Sequence, residues 1–310
     1  MSALLVKAGR TLGQLWARGP KGARWYYVGG ALLIASGLLH VPVLLIDGSD
    51  WAGPVSWRKP ILFGISTGVT LISLGWVYGL LHGSSQTWLD RVSRIVAFAA
   101  VLEVGLITLQ AWRGVPSHFN IETGFERSIH YAIDAMVILI MLMVLWLSLA
   151  SVRIKTPTID SLSADDRLGI RFGMLALSFS CLFGLYMLIY GMPRAEAGKD
   201  PGLYGEAGVL KFVHGIAIHA LQLLPVTTWL MKRLGVSQTV RIRSTISLAL
   251  GITLLTAYAW LQTFSGLPRF DPTLLAAGVL IAGLLFLALP AALVTALLVK
   301  SRYRPARMRT

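Results

Sequence analysis

Long apolar runs alternate with short polar segments along the chain, and eight of the runs are long enough to cross a bilayer. A membrane-spanning helix needs about 20 mostly apolar residues. Only helices and closed barrels satisfy the backbone in lipid, and these runs are much longer than barrel strands. The pattern therefore predicts an all-α integral membrane protein with eight transmembrane helices. They cover approximately residues 25–46, 58–82, 90–112, 128–151, 168–190, 208–231, 242–264 and 273–299.

Several residues recur at a constant offset of 152 positions, each at a similar place relative to an apolar run. The shared string L-Q-x-x-x-G-x-P ends the third and the seventh predicted helices. The matching pairs are Lys59 and Lys211, Arg91 and Arg243, Leu109-Gln110 and Leu261-Gln262, Gly114 and Gly266, and Pro116 and Pro268. This recurrence predicts a duplicated four-helix unit.

The two predicted repeats, residues 25–152 and 168–299, contain four spans each. Both copies therefore enter the membrane in the same direction, as in transporters built from parallel repeats. We describe the expected fold as two parallel four-helix repeats (4+4). The remaining segments are a basic, amphipathic N-terminal segment at 1–24, a linker at 153–167 and a basic tail at 300–310, all expected on the cytoplasmic side.

Composition and charge agree with this topology. The 310 residues are 55% hydrophobic and 14% charged, with a formal net charge of +14. Of the 28 basic residues, 20 lie on the side of the two termini. The positive-inside rule then predicts an inner-membrane protein with both termini in the cytoplasm. The excess charge indicates contact with anionic lipid headgroups, not with nucleic acid, and the sequence leaves protein partners open. The single cysteine excludes a disulfide within the chain.

Ionisable side chains inside the predicted helices are the main candidates for a functional site, because such groups are costly in lipid and face the bundle interior. Five of the six histidines lie in the predicted outer half of a helix or in an outer loop. They are His40, His118, His130, His214 and His219. Depth along the helices predicts an outer layer of His40, Asp134 and His214 above a deeper layer of Glu103, His219 and Gln222.

Helical spacing refines this picture. His130 and Asp134 are four residues apart and share one helix face. His214 and His219 are five apart, about 140° around a helix, so they cannot bind one metal from a single face. We therefore assign no residue to a bare metal ion, and a zinc enzyme is disfavoured.

The first functional hypothesis is a haem- or metal-binding redox protein. A b-type haem would be held by neutral imidazoles from facing helices. His40 and His214 are the expected axial pair, with His130 as a substitute and His219 as a further candidate.

An alternative hypothesis is a small-molecule transporter, with a proton-coupled anion carrier as one form. Glu103 and Asp134 would then relay protons together with the histidines. A membrane-embedded enzyme or a subunit of a complex is a further alternative. The same polar groups also fit a purely structural role, in which they hydrogen-bond across helices.

Basic residues near the outer surface form a second candidate group. Lys59 and Lys211 are repeat equivalents, and Arg113 follows the third predicted helix. Together they predict an anion site for a carboxylate, a phosphate or a haem propionate. The alternative is that these side chains extend to lipid headgroups.

The chain contains no phosphate-binding loop of the form G-x-x-x-x-G-K-[ST] and no C-x-x-C-H haem-attachment motif. In outline, eight spans in a 4+4 plan with outer-half histidines resemble haem A synthase. That family carries paired ligands on even-numbered spans, including the second and the eighth. Here residues 58–82 and 273–299 offer no outer-half histidine, so the resemblance is an analogy of the fold alone.

Overall fold

A computed structural model describes residue 16 and residues 19–82, 87–153, 161–203 and 205–302. Within these residues the regular secondary structure is α-helical, apart from one isolated β-bridge between Ala207 and Pro268. The helices are α1 (Lys21–Asp47), α2 (Arg58–Leu81), α3 (Thr87–Trp112), α4 (Gly124–Arg153), α5 (Ala164–Glu196), α6 (Lys211–Ala217), α7 (Ala220–Arg233), α8 (Gln238–Phe264) and α9 (Leu274–Arg302). Large parts of the predicted N-terminal segment, of the linker and of the tail lie outside the described residues.

Eight helices in this part of the chain are long and apolar enough to cross a membrane, with α6 and α7 together forming one of them. This confirms the all-helical prediction. Many large apolar side chains on these helices are also exposed, such as Ile46 at 87% and Leu274 at 93%. Such surface is costly in water, which suggests a membrane protein.

The structure differs from the sequence prediction at α5, which continues to Glu196. The sequence predicted an end near residue 190, but Gly191 and Pro193, residue types that are typical of a helix end, do not stop the helix. Pro193 lies within the last turn of the helix, and Gly191 packs beneath an aromatic ring. The extension carries Met192 into the candidate site described below.

The chain divides into two compact units. The first unit comprises residues 1–160 and 185–204, and the second comprises residues 161–184 and 205–310. Helix α5 contributes its first part to the second unit and its last part to the first. The 4+4 repeat remains a prediction.

Glycines bring α1 and α2 into backbone contact in the first unit. A Cβ atom built on Gly30 would lie 2.6 Å from the carbonyl oxygen of Gly68, and one on Gly64 would lie 2.8 Å from Cα of Gly37. No side chain fits at these distances. The absence of side chains therefore allows the two helices to pack against each other directly.

The repeated string L-Q-x-x-x-G-x-P forms the same local structure in both copies. Gly114 and Gly266 are left-handed, with φ of 67° and 65°. In each copy the amide after the glycine bonds a carbonyl five residues earlier, Val115 to Gln110 at 3.1 Å and Leu267 to Gln262 at 2.9 Å. This is the Schellman pattern of helix termination, so the string has a structural role at both helix ends.

Candidate functional site in the first unit

The loop between α3 and α4 is held by a buried carboxylate. Glu126 is 5% exposed. It pairs with the Arg113 guanidinium at 2.7 Å and accepts hydrogen bonds from Gln110 and, at 3.3 Å, from Asn120. Charge-assisted bonds of this kind are strong and directional. Arg113, predicted as an anion ligand, thus binds a carboxylate of the protein itself.

The tip of this loop meets the first turn of α2. The Lys59 ammonium donates to Ser117 Oγ at 3.1 Å, and Ser117 Oγ lies 2.9 Å from His118 Nδ1. An ammonium can only donate. Ser117 therefore accepts from Lys59, and the same hydroxyl contacts His118 through Nδ1. Lys59 is only 8% exposed, so it points into the protein.

The electrostatic environment keeps His118 neutral. Burial of the ring lowers the pKa of His118 to about 3, and the charge of Lys59 and the nearby His130 add to this effect. An uncharged imidazole has one N–H donor and one acceptor nitrogen. At physiological pH, His118 is therefore a neutral imidazole beside a lysine.

A strained residue follows His118. Phe119 has a φ of 58°, the only positive value for a non-glycine residue in the described part of the chain. Its ring lies 5.6 Å from that of His130, and a Cβ built on Gly191 would lie 2.7 Å from Phe119 Cε1. Strain of this kind persists only where the surroundings enforce it, and it is frequent at functional sites.

His130 is fully buried where α4, the loop and the end of α5 meet. Its Nε2 lies 2.8 Å from Met192 Sδ and 3.5 Å from Asp134 Oδ2. Both are acceptors, so Nε2 carries the proton and Nδ1 carries the lone pair. Nδ1 is buried and has no hydrogen-bond partner. A buried polar atom left unpaired costs about 1–3 kcal/mol, which makes this nitrogen a candidate ligand contact.

One carboxyl group lies next to this histidine, and a second one interacts with the first. Glu103 on α3 is 6% exposed and interacts electrostatically with Asp134 on α4. Neither forms a salt bridge with lysine or arginine within the described residues. The sequence had placed these acids in separate layers, and the structure brings them together. The i, i+4 spacing correctly indicated that Asp134 accompanies His130.

His40 lies at another part of the first unit. Its Nδ1 donates to the Ser36 carbonyl oxygen at 2.7 Å, and its Nε2 accepts from Trp112 Nε1 at 3.0 Å. Both ring nitrogens are thus engaged. His40 packs in an aromatic cluster with Trp57 and Trp112, whose ring centroids lie 4.8 Å apart.

In the second unit, His214 and His219 flank a break between α6 and α7. His214 Nδ1 donates to the Ser180 carbonyl oxygen at 2.8 Å, while the Ser180 hydroxyl donates to the His214 carbonyl oxygen at 2.9 Å. This fixes the lone pair of His214 on Nε2. His219 occupies the N-cap position of α7, without a side-chain capping bond, and interacts electrostatically with His214. Lys211 is the first residue of α6.

The first unit thus gathers Lys59, Glu103, His130 and Asp134 from the predicted residues. Sequence reasoning missed Ser117 and Met192, which lie 58 and 62 positions from their partners. The only local signal was the position of Ser117 next to His118. Within the described residues, no group of three histidine, cysteine or acidic side chains is arranged to hold a metal ion.

No family model matches this chain, and comparisons with curated proteins and with solved structures return no match.

Proposed function

We propose that the chain is a proton-coupled small-molecule transporter whose proton-exchanging groups are Glu103, Asp134 and His130. The observation that carries the proposal is the buried Glu103 carboxyl and its electrostatic interaction with Asp134, since neither group has a salt bridge to lysine or arginine in the described residues. Two such groups in apolar surroundings need a proton or another cation for charge balance. Groups of this kind within spanning helices are typical of proton relays.

The neighbouring groups supply a route for that proton. Asp134 lies 3.5 Å from His130 Nε2, and His130 interacts electrostatically with His118 in the loop. Protonatable groups therefore continue from the interior of α3 and α4 to the loop between these helices. An imidazole accepts a proton at one nitrogen and releases it from the other, which suits it to such a path.

The predicted topology gives this route a direction. Basic residues on the side of the termini favour an inner-membrane protein with cytoplasmic ends, so the 113–123 loop faces the extracytoplasmic side. Parallel four-helix repeats are an arrangement found among transporters. Together these features support solute uptake from the outside, driven by protons.

The test uses the full chain in liposomes that contain a trapped pH-sensitive dye. Panels of monocarboxylates, amino acids and sugars are added under an imposed proton gradient, and protein-free liposomes report passive entry. At least one solute is expected to evoke proton uptake, which Glu103→Gln or Asp134→Asn lowers at least tenfold. Glu122→Gln, in the exposed part of the loop, is the matched control and should transport like the wild type. Wild-type rates in both acid variants would remove the proposal.

A second measurement does not depend on knowing the solute. Infrared difference spectra between acidic and alkaline buffer report protonated carboxyl groups directly. The wild type should show a carboxyl signal that Glu103→Gln or Asp134→Asn removes and Glu122→Gln retains. Identical spectra in all four proteins would show that these acids exchange no proton.

His214 supports a second candidate function, a haem- or metal-binding redox protein. Metal-binding histidines usually donate their other ring N–H to a carbonyl or carboxylate, and His214 donates to Ser180. A visible spectrum of the purified protein, with and without added haemin, tests this candidate. A haem band that His214→Gln abolishes is the expected result, and a colourless protein that takes up no haemin excludes haem.

A further inference from the structure

The cluster around Lys59 has an electropositive character. The buried ammonium donates to Ser117, and its charge acts on His118, one residue further along the loop. Ser117 contacts His118 through Nδ1, so the lysine, the hydroxyl and the neutral imidazole are connected in a row. The lysine charge is complementary to an oxygen that carries negative charge.

His130 adds a hydrogen-bond acceptor to this cluster. Its Nδ1 lone pair is fully buried without a partner, and its ring lies within electrostatic reach of His118. Native structures seldom leave such an atom unsatisfied, and each case calls for a bound group or a water. This nitrogen requires a donor, such as an O–H group.

Aromatic and aliphatic side chains surround these polar atoms. The Phe63 ring lies 5.7 Å from His118, and the Phe119 ring lies 5.6 Å from His130. Phe63 also packs against the buried cluster of Ile107, Ile129 and Ile133. These surroundings favour a ligand with an apolar body and disfavour a strongly hydrated dianion such as phosphate, which needs several cationic partners.

We propose that this site binds the carboxyl group of a small monocarboxylic acid with an apolar body, using Lys59 for one oxygen and His130 Nδ1 for the acidic O–H. The inference rests on the proposed transport function and names its substrate class. It joins the lysine donor and the orphaned acceptor in one ligand, because an undissociated carboxyl group offers both an acceptor oxygen and a donor hydroxyl.

The same arrangement couples the substrate to the relay. When the acid O–H bond breaks, its proton forms a bond to His130 Nδ1, and the carboxylate left behind pairs with Lys59. The imidazolium then releases its Nε2 proton to Asp134, 3.5 Å away. The acid has become an anion, the carboxylate of Asp134 has become an acid, and His130 is neutral again in its other tautomer.

The test is calorimetric binding of benzoate and benzamide to the full chain in detergent. The amide has nearly the same shape but no charge and no acidic O–H. Benzoate should bind at least tenfold more tightly than benzamide, and Lys59→Met should weaken benzoate binding at least tenfold. Lys199→Met, at an exposed lysine in the same unit, is the matched control and should bind like the wild type.

Equal affinity for benzoate and benzamide, absence of benzoate binding, or full binding by Lys59→Met would each overturn the inference. The comparison of the two ligands needs only the wild type, so it decides even where a variant fails to fold. Binding is measured without a gradient and is therefore separable from transport. If benzoate does not bind but another solute is taken up in an Asp134-dependent way, the substrate class is wrong and the transport proposal stands. If benzoate binding depends on Lys59 but uptake does not depend on the proton gradient, the substrate class stands and the proton-coupled transport proposal is wrong.

Discussion

Lys59 Nζ and Ser117 Oγ meet at 3.1 Å across 58 positions of sequence. A lysine in the first turn of a spanning helix commonly extends to the headgroups. Here it turns inward and joins α2 to the loop after α3. The hydrogen bond thereby holds Ser117 in place beside His118.

Ser117→Ala should destabilise the protein by about 1–3 kcal/mol, because a buried ammonium loses an acceptor. Thermal melts in detergent measure the change. Ser128→Ala, at an exposed serine in the first turn of α4, should shift stability by less than about 0.5 kcal/mol. Equal melting of the two variants would show that the bond to Lys59 contributes nothing to stability.

Gly191→Ala should destabilise the chain by about 1–3 kcal/mol through overpacking, because the new Cβ would lie 2.7 Å from the Phe119 ring. The ring would have to leave its place against His130. Gly105→Ala in α3 is the matched control, since a Cβ there meets nothing within 4 Å, and it should be neutral or stabilise by up to about 1 kcal/mol. Comparable stability in the two variants would contradict the packing described here.

The lowered pKa of His118 predicts a stability that falls with acidification. The folded pKa is about 3, whereas the ordinary value is 6.5. Between these values the unfolded chain binds a proton that the folded chain does not, so stability rises with pH across this window and is lost as the pH falls.

Melting temperatures between pH 7.5 and 4.5 test this linkage by comparing the wild type with His118→Gln. The wild type should lose more stability on acidification than the variant. Lys59, His130 and Asp134 face His118 or its neighbours and contribute in both proteins, so the difference isolates His118. Parallel curves would mean that His118 titrates alike in the folded and unfolded chains.

Arg113→Met should loosen the loop that carries His118, because Glu126 would remain buried without its cation. Breaking a buried pair is strongly destabilising, but Arg113 is 37% exposed, which reduces the expected loss to about 1–3 kcal/mol. Hydrogen exchange over residues 113–123 should speed up. Arg91→Met, at an exposed arginine of α3, is the control. Unchanged exchange in Arg113→Met would refute the anchoring role of Glu126.

The helices could be predicted because lipid and water impose opposite compositions on long stretches of chain. The end of α3 near Gly114 was likewise visible, because glycine favours the left-handed turn that the structure adopts there. The His130–Asp134 contact followed from helical spacing alone. Such local rules reach only about one helical turn.

The remaining contacts depend on how separate segments pack, which no local pattern encodes. Met192 reaches His130 because α5 continues past residue 190, where the sequence predicted its end. The break after α6 falls within residues 208–231, where the sequence predicted one continuous helix. It lies one turn beyond a carbonyl that receives the Ser180 hydroxyl from another helix, and inserted side chains of this kind are a known cause of bends.

Backbone contact at Gly30 and Gly68 leaves α1 and α2 no room to slide past each other. The pair therefore holds one fixed geometry. In the transporter proposed above, any change between open and closed forms of the first unit must come from other parts, which leaves the 113–123 loop and the last turns of α5. For that transporter, a cross-link between α1 and α2 should leave transport unchanged, whereas one between that loop and α5 should stop it.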